Sequence, residues 1–400
     1  MLACLTILLF CTSVLAISNG RIEVIYPSLE TSRFGIKIMK FRAFDQDIIL
    51  KLEPAGDVIS DDFTVMDEEG KIEPIDVESF KGKLFRDQEK GAALYIDENE
   101  FIEIEGIINF KLRIEPSESQ KVGKYGMKEH VITETFDEKK RFKDTVNNLN
   151  SQRSFLEDIG REFDENQCVE IEYYFLGEKN FTEGFPDLNK FKIYIGSVFV
   201  QTQTMMDTLK LKIKIRALGV LMLKSDPPFI TKSLFVGEDV FNMERIVKNM
   251  EKYLCENKKI EKFQRADIIM LLTGRQIGIF DSKGTILVGI LGVANLGSAC
   301  AQCAKLAIVK CDDDKRETAV TLAHESAHLL GSPHDGEGGH LSLPGSPGST
   351  KCVASDGFIM GDSIGENKEK FSTCSVENIK YFLGQKDAHC LIEECTDTVL

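Results

Sequence analysis

The stretch Thr318-Ala-Val-Thr-Leu-Ala-His324-Glu325-Ser-Ala-His328-Leu-Leu-Gly331-Ser-Pro-His334-Asp335 decides the reading of this chain. His324 and His328 stand four apart, so on a helix they share one face, one turn above the other. Two imidazoles so placed can bind one Zn²⁺. Glu325 sits beside the first of them, close enough to reach a water on the metal without ligating it. Gly331 can end the helix with a positive φ that other residues resist. The chain then reverses and returns His334 as a third ligand. Three protein ligands leave a position open for water, as catalytic zinc sites do. Zinc would lower the pKa of that water from about 15.7 toward roughly 7, and Glu325 would take its proton and pass it to a leaving amine. The rival reading is a solvated helix with stray histidines. Three of the chain's six histidines fall between 324 and 334. With Glu325 and Gly331 also in place, a chance match is on the order of one in a million at ordinary residue usage.

Working outward, cysteine usage divides the chain. Residues 17–167 hold no cysteine, whereas Cys168, Cys255, Cys300, Cys303, Cys311, Cys352, Cys374, Cys390 and Cys395 follow. The apolar run Met1–Ala16 is too short for a comfortable membrane span and ends in small residues. It reads as a signal peptide, against the alternative of an N-terminal core helix. Secretion and a disulfide framework follow from that reading. The nine remaining cysteines leave one over, either free or paired outside this sequence. Cys303 and Cys311 are near enough in sequence to pair with each other.

Residues 17–116 carry short alternating runs, such as Ile48-Ile-Leu-Lys-Leu52 and Phe101-Ile-Glu-Ile-Glu105, and read as a small β-rich domain. Residues 117–167 are polar and read as a linker. Lys139-Lys140-Arg141 and Arg153 in it are either solvated charges or sites for a processing protease. From Cys168 onward strands and helices alternate. Strands are expected at 169–175, 211–223, 266–273 and 286–293, and helices at 191–209 and 242–256. Such alternation indicates an α/β sheet. The net charge of −15 argues against binding to nucleic acid or to an anionic membrane surface.

The long form His324-Glu-x-x-His328-x-x-Gly331-x-x-His334 resembles the metzincin signature. Gly357-Phe-Ile-Met360-Gly-Asp is similar to the Met-turn of that group, and Asp335 after the third histidine points to its reprolysin (adamalysin, ADAM-like) branch. Phe371-Ser-Thr-Cys374-Ser, Gly297-Ser-Ala-Cys300 and Ala388-His-Cys390-Leu-Ile resemble further reprolysin segments. Ile25-Tyr-Pro27 and Leu112-Arg-Ile-Glu-Pro116 resemble the ends of a reprolysin propeptide. Ser332-Pro-His-Asp-Gly and the brief C-terminus look similar to secreted salivary metalloproteases of ticks.

Beyond the signal peptide read at 1–16, the resemblance implies a propeptide at 17–167 and a zinc metalloprotease domain at 168–400. That domain would have a mixed five-stranded sheet with long helices and a small lower subdomain after Gly331. Its edge strand, 286–295, would pair with an extended polypeptide by β-addition. Met360–Ile364 would wall the specificity pocket. Extracellular matrix or plasma proteins such as fibrinogen are the implied substrates, cut by a monomer with no membrane anchor. The pairs Cys300–Cys390 and Cys352–Cys374 are implied as well, with Cys168, Cys255 and Cys395 unassigned. Glu170, Asp267 and Glu393 match a structural Ca²⁺ site of the family by position, although acids at strand ends are often merely solvated. Asn180-Phe-Thr182 is a glycosylation sequon, modified or not.

The chain departs from the family in one respect that matters for latency. Residues 17–167 offer no cysteine to cap the zinc. His130, in Lys128-Glu-His-Val-Ile132, or a neighbouring carboxylate would have to take the open position; otherwise His130 is an exposed linker histidine. No disintegrin-like part follows Cys395, so adhesion-receptor binding through one is not expected. A binding protein or toxin that keeps the fold without catalysis is the alternative function.

Overall fold

The computed structural model describes residues 20–119, 121–135, 162–393 and 395. The expected leader at 1–16 and the basic sites at 139–141 and 153 lie outside the described residues.

The central sheet contains β1 (Ile59–Asp67), β2 (Cys168–Gly177), β3 (Ile213–Met222), β4 (Ile268–Thr273), β5 (Gly292–Ala294) and β6 (Leu306–Lys310). Their lateral order is β5-β6-β4-β2-β3-β1. All neighbours are parallel except β5, which runs antiparallel on β6. Ile72–Glu73 pairs with β1, and Ile392–Glu393 pairs with the start of β2.

β4 is buried at all six positions, as an interior parallel strand must be. In β2 the faces alternate. Tyr173 and Phe175 enter one core, while Tyr174 and Leu176 enter the core on the opposite face. The first core holds α1 (Leu188–Met206) and, below, the helix that bears the histidines. The second holds α2 (Met243–Glu256), whose buried Met243, Ile246, Val247, Met250 and Leu254 keep the helical period. α1 begins ahead of the expected Phe191 because Asp187 caps it, accepting from the Lys190 N–H at 2.8 Å.

The N-terminal region forms a nine-stranded antiparallel sheet over its own core of Met39, Leu50, Leu52, Leu94 and Ile114. It differs from the expected β-rich domain in two ways. His130–Glu134, expected in the polar linker, is a strand between Ile22–Ile25 and Leu112–Pro116. β1 leaves this region altogether and extends the central sheet.

The expected strand 286–293 is in fact two. Ile286–Ile290 pairs with Gln276–Phe280 in a three-stranded sheet completed by Val240–Asn242, and only Gly292–Ala294 joins β6. A single apolar run thus serves two sheets, a partition that periodicity alone does not reveal.

Among the described residues four disulfides join Cys168 to Cys395, Cys255 to Cys303, Cys300 to Cys390 and Cys352 to Cys374. Cys303 therefore does not pair with Cys311, because the loop after β5 turns it toward the end of α2. The ninth cysteine, Cys311, is a free thiol, and burial pushes its pKa far up. Among the described residues no helix is long and apolar enough to cross a membrane.

Candidate metal centre

The histidines lie on α3 (Lys315–Leu329) and the turn that follows it. Asp314 caps the helix by accepting from the Arg316 N–H. At the other end Gly331 takes φ +91°, its N–H reaches the His328 carbonyl, and the Ser332 N–H reaches the Ala327 carbonyl. This is a Schellman closure, and it turns the chain back toward the helix face. A Cβ on Gly331 would also lie 2.8 Å from Leu343 Cδ2, so any other residue would be strained in its backbone and crowded by its neighbours. The N–H groups of Gly297 and Ala299 bond the last-turn carbonyls of His328 and Leu329. The segment after β5 is thereby fixed against the histidine helix.

His324 and His328 are fully buried, and His334 is partly so. Their ligand nitrogens gather in one group, with Nε2–Nε2 distances of 3.1 Å between His324 and His328 and 3.2 Å between His328 and His334. The outer nitrogens explain why. His324 Nδ1 lies 2.8 Å from the Ile359 carbonyl, and His328 Nδ1 lies 2.8 Å from the Ser332 carbonyl. A carbonyl only accepts, so both Nδ1 atoms carry the proton and donate it. His334 Nδ1 faces Glu337 at 3.2 Å. Each Nε2 lone pair is left pointing inward. A shared cation suits converging lone pairs at this spacing: zinc bonds to nitrogen of roughly 2.0–2.1 Å put tetrahedral neighbours about 3.3 Å apart. Anchoring of the outer nitrogen by carbonyl or carboxylate is the usual support of such ligands.

Met360 is buried in the turn beneath. Its carbonyl accepts from the Asp335 N–H at 2.8 Å, while the preceding carbonyl anchors His324. The Asp335 carboxylate accepts from Ser372 Oγ at 2.6 Å at the start of α4 (Thr373–Leu383), and burial raises its pKa. The Met-turn and the third histidine are therefore one hydrogen-bonded unit.

Glu325 is fully buried on the same helix. Its carboxylate packs flat on Gly292 of β5: a Cβ there would stand 2.2 Å from Oε1 and 2.6 Å from Cδ. Gly292 has no positive φ, so what a side chain there would disturb is the position of the Glu325 carboxylate and not the backbone. Sequence reasoning did not single out Gly292 or Glu337. A glycine inside a strand pattern was the available signal for the first, and an acid three residues beyond His334 for the second.

Other expected residues do not come together. His130 sits in the N-terminal sheet. Its Nε2 accepts from the Ile104 N–H at 2.8 Å and its Nδ1 faces the Lys128 carbonyl at 2.7 Å, so neither nitrogen is available to a metal. The adjacent Glu129 carboxylate takes hydrogen bonds from Tyr26, Ser117 and Ser119. Glu170 pairs with Arg216 at 3.0 Å, and Asp267 accepts from the Glu172 N–H at 2.8 Å. Among the described residues Asp267 groups with the disulfide sulfurs of Cys300 and Cys390, not with Glu170 or Glu393. Among the described residues the side chains of Glu170, Asp267 and Glu393 do not form one ligand cluster. Asn180 is exposed in the short helix Lys179–Thr182.

Residues 187–395 match the model of the reprolysin (M12B) family of zinc metalloproteases. The chain is 39% identical over 401 residues to the venom metalloproteinase antarease TserMP_A of Tityus serrulatus, covering 99% of this chain and 100% of that one. It is 39% identical over 402 residues to the antarease-like TtrivMP_A of Tityus trivittatus, at the same coverage. Identity to the venom metalloproteinase BumaMPs1 of Olivierus martensii is 37%, covering 98% and 97% of the two chains. These are scorpion venom proteins, which moves the finer likeness away from tick saliva.

Proposed function

This chain belongs to the reprolysin (M12B) family of zinc metalloproteases, and from that premise we propose that it is a secreted endopeptidase, made as a zymogen, that cuts extracellular proteins such as fibrinogen or matrix components. The observation that carries the peptidase reading is the convergence of three Nε2 atoms whose outer nitrogens are already anchored.

His324, His328 and His334 would hold the ion. Zinc so held supplies Lewis acidity to a water and to a peptide carbonyl. The remaining work belongs to the chain. Glu325 accepts the proton released as the water attacks and delivers it to the departing amine. β5, at the end of the central sheet, offers its backbone to an extended substrate segment, which aligns the scissile bond above the helix. Met360–Ile364 forms one wall of the pocket that accepts the neighbouring side chain. Residues 17–167 serve as the propeptide, cut in the polar stretch that follows Glu134. The exposed Asn180 fits a glycosylated secretory product.

The test is to incubate the purified, processed protein with casein and fibrinogen, with and without a chelator. Cleavage abolished by the chelator and restored by zinc is expected. Cleavage indifferent to the chelator, or none in zinc-loaded protein, would defeat the reading.

A further inference from the structure

We infer that the N-terminal region is a lasting subunit of the enzyme: after the chain is cut beyond Glu134, the two pieces stay together as a non-covalent heterodimer. The inference goes beyond the peptidase reading and uses it only in supposing that maturation cuts the chain, a cut the experiment below makes itself.

Three observations carry it. The first is the sheet. β1 pairs in parallel with β3 from Ala217 to Met222, at the end of the sheet opposite β5. Departure of the N-terminal region would strip a ladder of backbone hydrogen bonds and bare an edge strand.

The second is α1, which presents no face to solvent over most of its length. It is buried from Ile193 to Met206 without a break, a pattern proper to a helix covered on both sides. One side packs on α3 and the sheet. On the other, Phe80, Leu84, Ala93, Tyr95 and Ile107 of the N-terminal region share a continuous core with it.

Gly196 shows that the fit is built into the later half of the chain. It stands mid-helix, where glycine costs about 1 kcal/mol relative to alanine. Its φ is not positive, so the backbone does not require it. A Cβ there would lie 2.9 Å from Leu84 Cδ2 and 3.0 Å from Phe80 Cζ. The missing side chain is a notch for two residues that a released propeptide would take away.

The third is charge. Arg113 grips Asp314, the cap of α3, with two bonds of 2.7 Å. Glu105 lies between Lys190 and Lys315, Arg86 meets Asp207, and Asp62 meets Lys262 and Arg265. These pairs add specificity, and salt weakens them; the shared core is insensitive to salt.

Residues 17–167 contain no cysteine, so after the cut nothing covalent would join the pieces. The test uses the full chain with Glu325→Gln, to suppress self-digestion, and a recognition sequence for a site-specific protease in place of residues 139–141. Cleavage is driven to completion, as judged on a denaturing gel. The product is then run by size exclusion and native mass spectrometry at about 0.15 M and 1 M NaCl. A single 1:1 species at both salts is expected. Two separately eluting fragments would overturn the inference. Gly196→Leu, which fills the notch while keeping helix propensity, should raise the dissociation rate of the cut complex at least about tenfold. An unchanged rate would overturn the role given to the notch. Co-elution is read without activity, so loss of caseinolysis in the zinc-loaded protein would sink the peptidase reading and leave this one standing.

Discussion

His130 in the N-terminal sheet and His324 and His328 on α3 are equally buried, yet they are built for different ends. The His130 ring is spent within its own sheet, with Nε2 accepting the Ile104 N–H and Nδ1 turned to the Lys128 carbonyl. It fills a backbone vacancy, and burial lowers its pKa to about 4, which keeps it neutral. On α3 the outer nitrogens are spent in the same manner on the Ile359 and Ser332 carbonyls. The inner nitrogens instead face one another. What makes a buried histidine a candidate ligand is therefore where its second nitrogen points. A 3.6-residue repeat and a glycine-closed helix end control that direction on α3, whereas strand pairing controls it at His130.

The comparison can be broken most directly by substitution at the two places. His328→Ala removes the nitrogen shared by both short Nε2 contacts and should abolish zinc retention and turnover together, as read by metal analysis and a casein assay. His130→Gln should leave the zinc content of the folded protein at about one ion per chain. Zinc loss in the second variant would erase the distinction. Next in size is Glu325→Gln, which keeps the ligands and removes the base. Zinc should remain while kcat falls by about 10²–10⁴-fold. Gly292→Ala comes third. It keeps ligands and base but pushes the carboxylate aside, for an expected loss of roughly 10²-fold in kcat with zinc retained. In the Glu325→Gln background the same change should cost almost nothing further. A second full loss there would mean that the methyl obstructs the substrate rather than the carboxylate.

How much of this could be read from residues alone depends on how local the cause is. The three histidines, Glu325 and Gly331 fall within eleven consecutive positions, and helical geometry brings the first two histidines together whatever the rest of the chain does. The elements at 168–177, 243–256 and 268–273 were legible because their burial patterns are periodic or continuous. Non-local pairings were not. β1 reads like its neighbours in sequence, and nothing in Ile59–Asp67 says that it joins the other sheet. Cys255 and Cys303 meet because a loop and a helix end coincide in space, a matter that sequence spacing does not address. The split of 286–293 belongs to the same class, as does the pairing of Glu170 with Arg216.

The smallest effect tests the structural side of the comparison, through pH. The His130 pKa is about 4 in the folded chain, against 6.5 for the ordinary ring. Between these values the unfolded chain binds a proton that the folded ring refuses, so the stability owed to the neutral ring is complete above about pH 6.5 and drains away as pH falls toward 4. The full span is worth about 3 kcal/mol. His130→Gln should cost about 1–3 kcal/mol at pH 7.5, where the Ile104 N–H loses a matched acceptor. That deficit should shrink on acidification, because only the parent pays to keep an imidazole uncharged. Urea unfolding of both proteins at pH 7.5 and pH 4.5, followed by a probe of the N-terminal sheet, measures the two gaps. A deficit of constant size would mean that the ring titrates in the folded state as freely as in the unfolded one, and the two histidine environments would differ less than their hydrogen bonds indicate.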